Sequence, residues 1–217
     1  YFAAKQIYNS QLKFKKGTRF LLLSLLSNLG MLFVFKYSGF LAQSTNAVLS
    51  FFGLSLSVSV YKLLLPVGIS FYTFQTLSYT IDVWRQNMRP ENNFLRFALY
   101  VSFFPQLVAG PIVRAKDFLP VITDKIRHFV LTHTHITTAF FIILIGFIKK
   151  MSADWLAVYF IDRVYASPEM YSSVETIAAV FGYGMQIYCD FSGYTDIAIG
   201  VAMLLGFHLT ENFRRPY

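Results

Sequence analysis

Two aspartates, Asp190 and Asp196, interrupt an otherwise apolar stretch that runs from 181 to 217, FGYGMQIYCDFSGYTDIAIGVAMLLGFHLTENFRRPY. Carboxylates can give and take protons, and at membrane depth they are costly enough that they normally face a bundle interior or a wet cavity. Gln186, Tyr188, Cys189, Ser192, Tyr194 and Thr195 surround them. On helical spacing Gln186, Asp190 and Tyr194 share one face, and Ser192 and Asp196 share another. Polar groups on two faces exclude an ordinary lipid-facing helix, so the cluster is expected to form a cavity wall. For either aspartate alone, a hydrogen bond to a neighbouring helix explains its presence equally well. The two carboxylates can act as an acid and base pair only if a break in the helix brings them together. Gly182, Gly184 and Gly193 would permit such a break, or else a close approach of neighbouring backbones. Other familiar chemistry is absent: there is no Gly-x-Ser-x-Gly elbow and no phosphate loop. The single cysteine, Cys189, is expected to be a packed, inert thiol.

The elements that must position these groups follow from patterning. Residues 66–84 are expected to form a helix opened by Pro66. Gln75, Ser78, Tyr79 and Asp82 fall on one of its faces, a second wall of the same cavity, with interhelical hydrogen bonding the better reading for Ser78 and Tyr79. Residues 94–110 are apolar but have basic residues at both ends, Arg96 on one side and Arg114, Lys116, Lys125 and Arg127 on the other. A re-entrant or in-plane element is expected there, broken at Pro105, Gly110 and Pro111. Irregular backbone at that depth needs protein or a cavity around it. Gln106 and Arg114 are therefore candidates to contact a polar or anionic ligand, with a snorkelling Arg114 an equal alternative.

A helix over 135–161 would span roughly 40 Å, longer than the hydrocarbon core, and should tilt or bend. Lys149 and Lys150 interrupt it. Snorkelling is their default, cavity contact the alternative, with Asp154 and Asp162 as possible partners for them or for Arg163. Ser172 and Glu175 have capping-box spacing. The apolar run that follows reaches Phe207, long enough that a bend or break near the glycines and Asp190 is expected. His128, His133 and His135 read as a helix start at a cytoplasmic edge rather than a metal site, since residues two apart share no helical face. Upstream, 20–35 with its flanking residues is expected to cross the bilayer and 37–61 to form an interfacial or partly buried connection on the non-cytoplasmic side. The alternation at 55–61 hints at a strand, but an unpaired strand cannot satisfy its backbone in lipid.

Composition sets the class. Of 217 residues, 55% are hydrophobic and only 14% charged, against about a quarter charged in soluble domains. The formal charge of +8 reads as cytoplasmic-loop bias, and no basic run is interleaved with aromatics as in a nucleic-acid groove. The basic cluster Lys13, Lys15, Lys16 and Arg19 should be cytoplasmic. So should the loops near Arg89, Arg127 and Arg214, with Ser44 and Ser167 on the other side. With no repeat and no soluble linker, 1–217 reads as one partial membrane domain, an internal piece of a larger one.

Three long strings carry a resemblance: PVGISFYTFQTLSYTIDVWR at 66–85, FFPQLVAGPIVRAKDFLP at 103–120, and YCDFSGYTDIAIG with LGFHLTENFRRPY in the final stretch. In content, order and spacing they resemble the membrane-bound O-acyltransferase family, in particular its bacterial alginate O-acetyltransferase-like branch. The resemblance implies an all-α, polytopic membrane helical bundle with re-entrant and broken helices, multi-pass in the bacterial inner membrane. It implies transfer of an acyl group, acetyl in this branch, from a cytoplasmic thioester such as acetyl-CoA to hydroxyls of an exported polysaccharide such as alginate. No bound cofactor or metal is implied. The partners would be membrane lipid, the acyl donor, and the polysaccharide or a periplasmic acyl-transfer protein. The family assigns general-base work to a histidine in a Trp-Arg-Arg-Trp-His-like segment after Asn-Phe-x-x-Pro-Tyr, that is, after Tyr217. His208 precedes that landmark and does not inherit the role, so this chain alone is expected to be inactive. The candidate cavity residues are Gln75, Asp82, Gln106, Arg114, Gln186, Asp190, Ser192, Tyr194, Asp196 and Asn212. A secondary transporter and a non-catalytic membrane scaffold are the competing readings; the absence of an inverted repeat disfavours the first.

Overall fold

The computed structural model describes residues 1–54, 57–59, 66, 68–107, 110–122 and 130–213. Among these the regular structure is helical throughout. Helices α1 (Phe2–Leu12), α2 (Thr18–Phe51), α3 (Ile69–Trp84) and α4 (Phe94–Ser102) are followed by the short α5 (Phe104–Leu107) and α6 (Ala115–Pro120). Then come α7 (His133–Leu156), a π-helical turn at Ala157–Ile161, α8 (Asp162–Ala166), a 3₁₀ turn at Pro168–Met170, and α9 (Ser173–Leu204). The chain packs as two units, Tyr1–Ser102 with Arg114–Leu119, and Phe103–Val113 with Pro120–Tyr217.

In the first unit α2 and α3 run antiparallel. Asn28 Oδ1 accepts from Thr76 at 2.9 Å and Ser24 meets Thr80 at 3.4 Å. Trp84 Nε1 donates to the Lys16 carbonyl at 3.0 Å. The Lys15 and Arg89 neighbourhoods thus share one end of this pair, and Ser44, some 28 residues along α2, lies about 40 Å from Lys16 along the helix axis. Half of α3 is buried, including Gln75, Tyr79 and Asp82. Tyr79 Oη accepts from the Glu91 N–H at 2.9 Å, and the buried Tyr100 hydroxyl hydrogen-bonds with Ser78. The interhelical hydrogen bond read for Ser78 is therefore present, to α4; Tyr79 instead bonds the loop before α4, and Thr76 and Thr80 carry the contact to α2.

Three boundaries differ from expectation. Helix α2 does not stop near residue 35 but continues through Phe51, because no proline occurs between 18 and 51 and a helix satisfies its own backbone whatever its side chains. Helix α3 begins at Ile69, capped by Gly68 at φ 77° rather than by Pro66. And α9 is unbroken for 32 residues across Asp190. The interruption falls instead in the helix before it, at the π-helical turn. Of the alternation at 55–61, residues 57–59 are irregular; the remainder, with Lys125, Arg127, His128 and Arg214, lies outside the described residues.

Helix α4 has nine residues, about 13 Å, so it cannot cross a 30 Å hydrocarbon core. Helix α7 starts at His133 with Thr132 as N-cap, its hydroxyl accepting from the His135 N–H at 3.3 Å. The capping box at α9 is formed: the Ser172 N–H donates to Glu175 Oε2 at 2.8 Å and the Glu175 N–H to Ser172 Oγ at 3.4 Å. Ser172→Ala is expected to destabilise the protein by about 1 kcal/mol, readable as a lowered midpoint in denaturant; an unchanged midpoint would show that α9 is held by packing alone.

Candidate functional site

Small residues bring α7 and α9 together. A Cβ on Gly193 would lie 2.8 Å from the Gly146 carbonyl oxygen and 3.0 Å from the Lys150 nitrogen. One on Gly146 would lie 2.7 Å from the Gly193 oxygen, and one on Gly200 2.7 Å from the Ala139 oxygen. The partners Ala139–Gly200 and Gly146–Gly193 run in opposite chain directions, so the helices are antiparallel. Ala139, Gly146 and Ala153 are all buried, at seven-residue spacing along α7. Of the two uses foreseen for Gly193, close approach is the one realised.

This approach places Lys149 and Lys150 against α9. Lys149 Nζ donates to Ser192 Oγ at 2.8 Å and to Asp196 Oδ2 at 2.6 Å. Lys150 Nζ lies 2.7 Å from Asp190 Oδ1, an ion pair, and also pairs with Asp154. It stands 5.3 Å from the centroid of the Tyr194 ring. The two polar faces of α9 are thereby explained: adjacent lysines diverge, one serving the Ser192 and Asp196 face, the other the Asp190 and Tyr194 face. Two ammonium groups meet three carboxylates, leaving one negative charge in excess. Snorkelling, the default for these lysines, is not what they do, and Asp162 does not serve as their partner.

The acid and base pair is not formed. On an unbroken α9 the aspartates are six positions apart, about 9 Å along the axis, and each faces its own lysine. What the cluster builds is a charged polar wall in fixed register, partly open, with side-chain exposures of 36% at Asp190 and 22% at Asp196. Gln186 lies one turn before Asp190, and its buried amide oxygen has no hydrogen-bond partner among the described residues. Gln106, on α5 in this same unit, is 1% exposed. Gly110 sits tightly over it, where a Cβ would come within 2.6 Å of the Gln106 Cα and 3.3 Å of the Ala198 Cβ. Asn212 is exposed beyond α9, its Oδ1 accepting from the Phe213 N–H at 3.1 Å. His208 is exposed in the same irregular segment.

In the first unit Gln75 is 1% exposed and its amide oxygen lacks a hydrogen-bond partner among the described residues. Asp82 is buried and accepts from Asn87 Nδ2 at 3.3 Å. Arg114 is exposed; its carbonyl oxygen accepts from the first turn of α6. Among the described residues no group of three or more His, Cys, Asp or Glu side chains could hold a metal. His133 and His135 hydrogen-bond with Thr137 and Thr132 at the start of α7.

Sequence reasoning ranked contact of Lys149 and Lys150 with the cavity wall below snorkelling and did not name the α9 aspartates as their partners. The signal that could have joined them was available: two lysines in the middle of one apolar helix and two aspartates in the middle of another require each other's charge.

The described residues are helical, with two helices, Thr18–Phe51 and His133–Ala166, long and apolar enough to cross a membrane, and charged groups paired between apolar helices are what the interior of a helical membrane protein accommodates. Residues 91–217 match the model of MBOAT, the membrane-bound O-acyltransferase family, and the chain belongs to that family. It is 39% identical over 204 residues to a probable alginate O-acetylase, AlgI, of Pseudomonas putida, covering 94% of this chain and 41% of the relative. To the corresponding Pseudomonas aeruginosa protein it is 36% identical over 218 residues, 100% of this chain and 41% of the relative. To a peptidoglycan O-acetyltransferase of Helicobacter pylori it is 32% identical over 241 residues, 100% and 44% respectively. The chain thus spans about two fifths of the length of these relatives.

Proposed function

We propose that the protein containing this chain is an inner-membrane O-acyltransferase that moves an acetyl group from a cytoplasmic thioester to a hydroxyl of an exported polysaccharide. Family membership over residues 91–217 carries the reading. Relatives named for alginate and for peptidoglycan leave a carbohydrate hydroxyl as the shared acceptor chemistry, with alginate the acceptor we favour. Transfer needs a base for the acceptor hydroxyl and donors for the oxyanion. The paired charges of α7 and α9 supply neither directly; they fix the wall against which donor and acceptor would be held, with Gln186, Tyr194 and Gln106 as polar contacts. Asn212 belongs to the same proposed lining, and Gln75, Asp82 and Arg114 are proposed as polar substrate contacts of the first unit.

The intact protein, purified in detergent and given radiolabelled acetyl thioester with alginate, is expected to release free thiol and place label on the polymer as a base-labile ester. Label on peptidoglycan instead would keep the reaction and change the acceptor. Thioester left intact with every polysaccharide, together with solute uptake in vesicles, would replace the enzyme with a transporter.

A further inference from the structure

We infer that the corner between α1 and α2 is a binding site for a phosphate-bearing anion. A cavity of about 650 Å³ opens there, and its walls include Lys13, Lys15, Lys16 and Arg19. Among the described residues no acidic side chain lines it; the remaining polar groups are Gln6, Asn9, Ser10 and Thr18. Four cations without a counter-charge in one concavity repel one another, and an anion relieves that repulsion. The neutral amides and hydroxyls supply the hydrogen bonds that phosphate oxygens accept.

The corner is shaped rather than loose. The Lys13 and Lys15 N–H groups both donate to the Ser10 carbonyl, at 3.1 and 2.9 Å. Gly17 turns the chain at φ 65°, a conformation that side-chain-bearing residues rarely adopt, and a Cβ there would sit tightly, 3.1 Å from the Ile7 oxygen. The Trp84 indole holds the Lys16 carbonyl from the far side at 3.0 Å.

One residue points to the source of the phosphate. Phe14, at φ 57°, stands out among the lysines with its side chain fully exposed, and Leu12 beside it is 64% exposed. An apolar ring flanked by cations is the pattern that enters a headgroup layer and holds anionic lipid. A soluble phosphate compound would satisfy the same cations without using the ring.

The test uses the intact protein in neutral detergent, with phosphatidylglycerol in one arm and inorganic pyrophosphate in the other, binding read by native mass spectrometry. At roughly fivefold per lysine near the surface, the triple variant Lys13→Gln/Lys15→Gln/Lys16→Gln should lose binding at least tenfold. Lys116→Gln, an exposed charge elsewhere, should change it less than twofold. Circular dichroism melts verify that the triple variant is folded. Phosphatidylglycerol binding that also falls in Phe14→Ser, with pyrophosphate bound weakly, identifies a lipid headgroup; pyrophosphate binding indifferent to Phe14→Ser identifies a soluble phosphate. Binding unchanged in the triple variant, or reduced as much by Lys116→Gln, or absent in both arms, overturns the site.

Discussion

Lys149→Met is expected to destabilise the intact protein by about 2 kcal/mol, and the double variant Lys149→Met/Asp196→Leu to recover most of that loss. Removing the ammonium leaves the Asp196 carboxylate without its partner at 2.6 Å and takes a donor from the buried Ser192 hydroxyl. Breaking one side of a fully buried pair costs 3–5 kcal/mol. Here the side chains keep 28% and 22% exposure, so water offsets part of the loss. Replacing both charges by apolar groups removes the unpaired charge itself, which is why the double variant should approach wild type. Asp190→Leu should be milder than Asp196→Leu, because Lys150 retains Asp154. Thermal denaturation of the four proteins of the Lys149 and Asp196 cycle measures this; a double variant as unstable as the sum of its singles would show that the two charges do not depend on each other.

A comparable loss should follow from a single methyl group. Gly193→Ala and Gly146→Ala each place a Cβ within 3 Å of the facing helix backbone, which cannot move aside as a side chain can. The helices must separate, at a cost of about 3 kcal/mol. The separation also lengthens the Lys149 to Asp196 contact. Once one alanine has parted the helices the second adds little, so the double variant should cost well under the sum. Gly182 provides the contrast: a Cβ there meets its nearest neighbour at 3.7 Å, and Gly182→Ala should be neutral or stabilising by up to about 1 kcal/mol through helix propensity. Denaturation midpoints that rank Gly182→Ala with Gly193→Ala would contradict the close contact.

The helical class, the end of α3 at Trp84, the capping box of α9 and the inward face of α3 were legible in the sequence because each rests on local chemistry: periodicity, a cap, the cost of polar groups in lipid. The length of α2 was not. Its second half, rich in Ser, Asn and Gly, looks like a connection by composition, but nothing in it breaks a helix. The integrity of α9 was missed for a related reason. Its glycines have two physical uses, and only the partner helix decides between them; Gly193 faces the Gly146 backbone, so it packs and does not break. The pairing of Lys149 and Lys150 with the α9 aspartates depends on the register of two helices distant in sequence. That register is set by Ala139, Gly146 and Ala153, a small-residue stripe that reads as unremarkable in a chain so rich in apolar residues.

The most direct test of the account is the rate of thiol release from acetyl thioester by intact Asp190→Ala protein, in the presence of polysaccharide acceptor. Asp190 is the better choice over Asp196 because Lys150 keeps Asp154 and the fold should survive, as a melting curve would verify. If the α7 and α9 wall borders the site of acyl transfer, the rate should fall at least tenfold, about 1.4 kcal/mol of transition-state stabilisation, while Ser44→Ala, far along α2, leaves it within twofold. Equal rates in a folded Asp190→Ala, Ser44→Ala and wild type would contradict it, reducing the charged pairs to a brace between two helices.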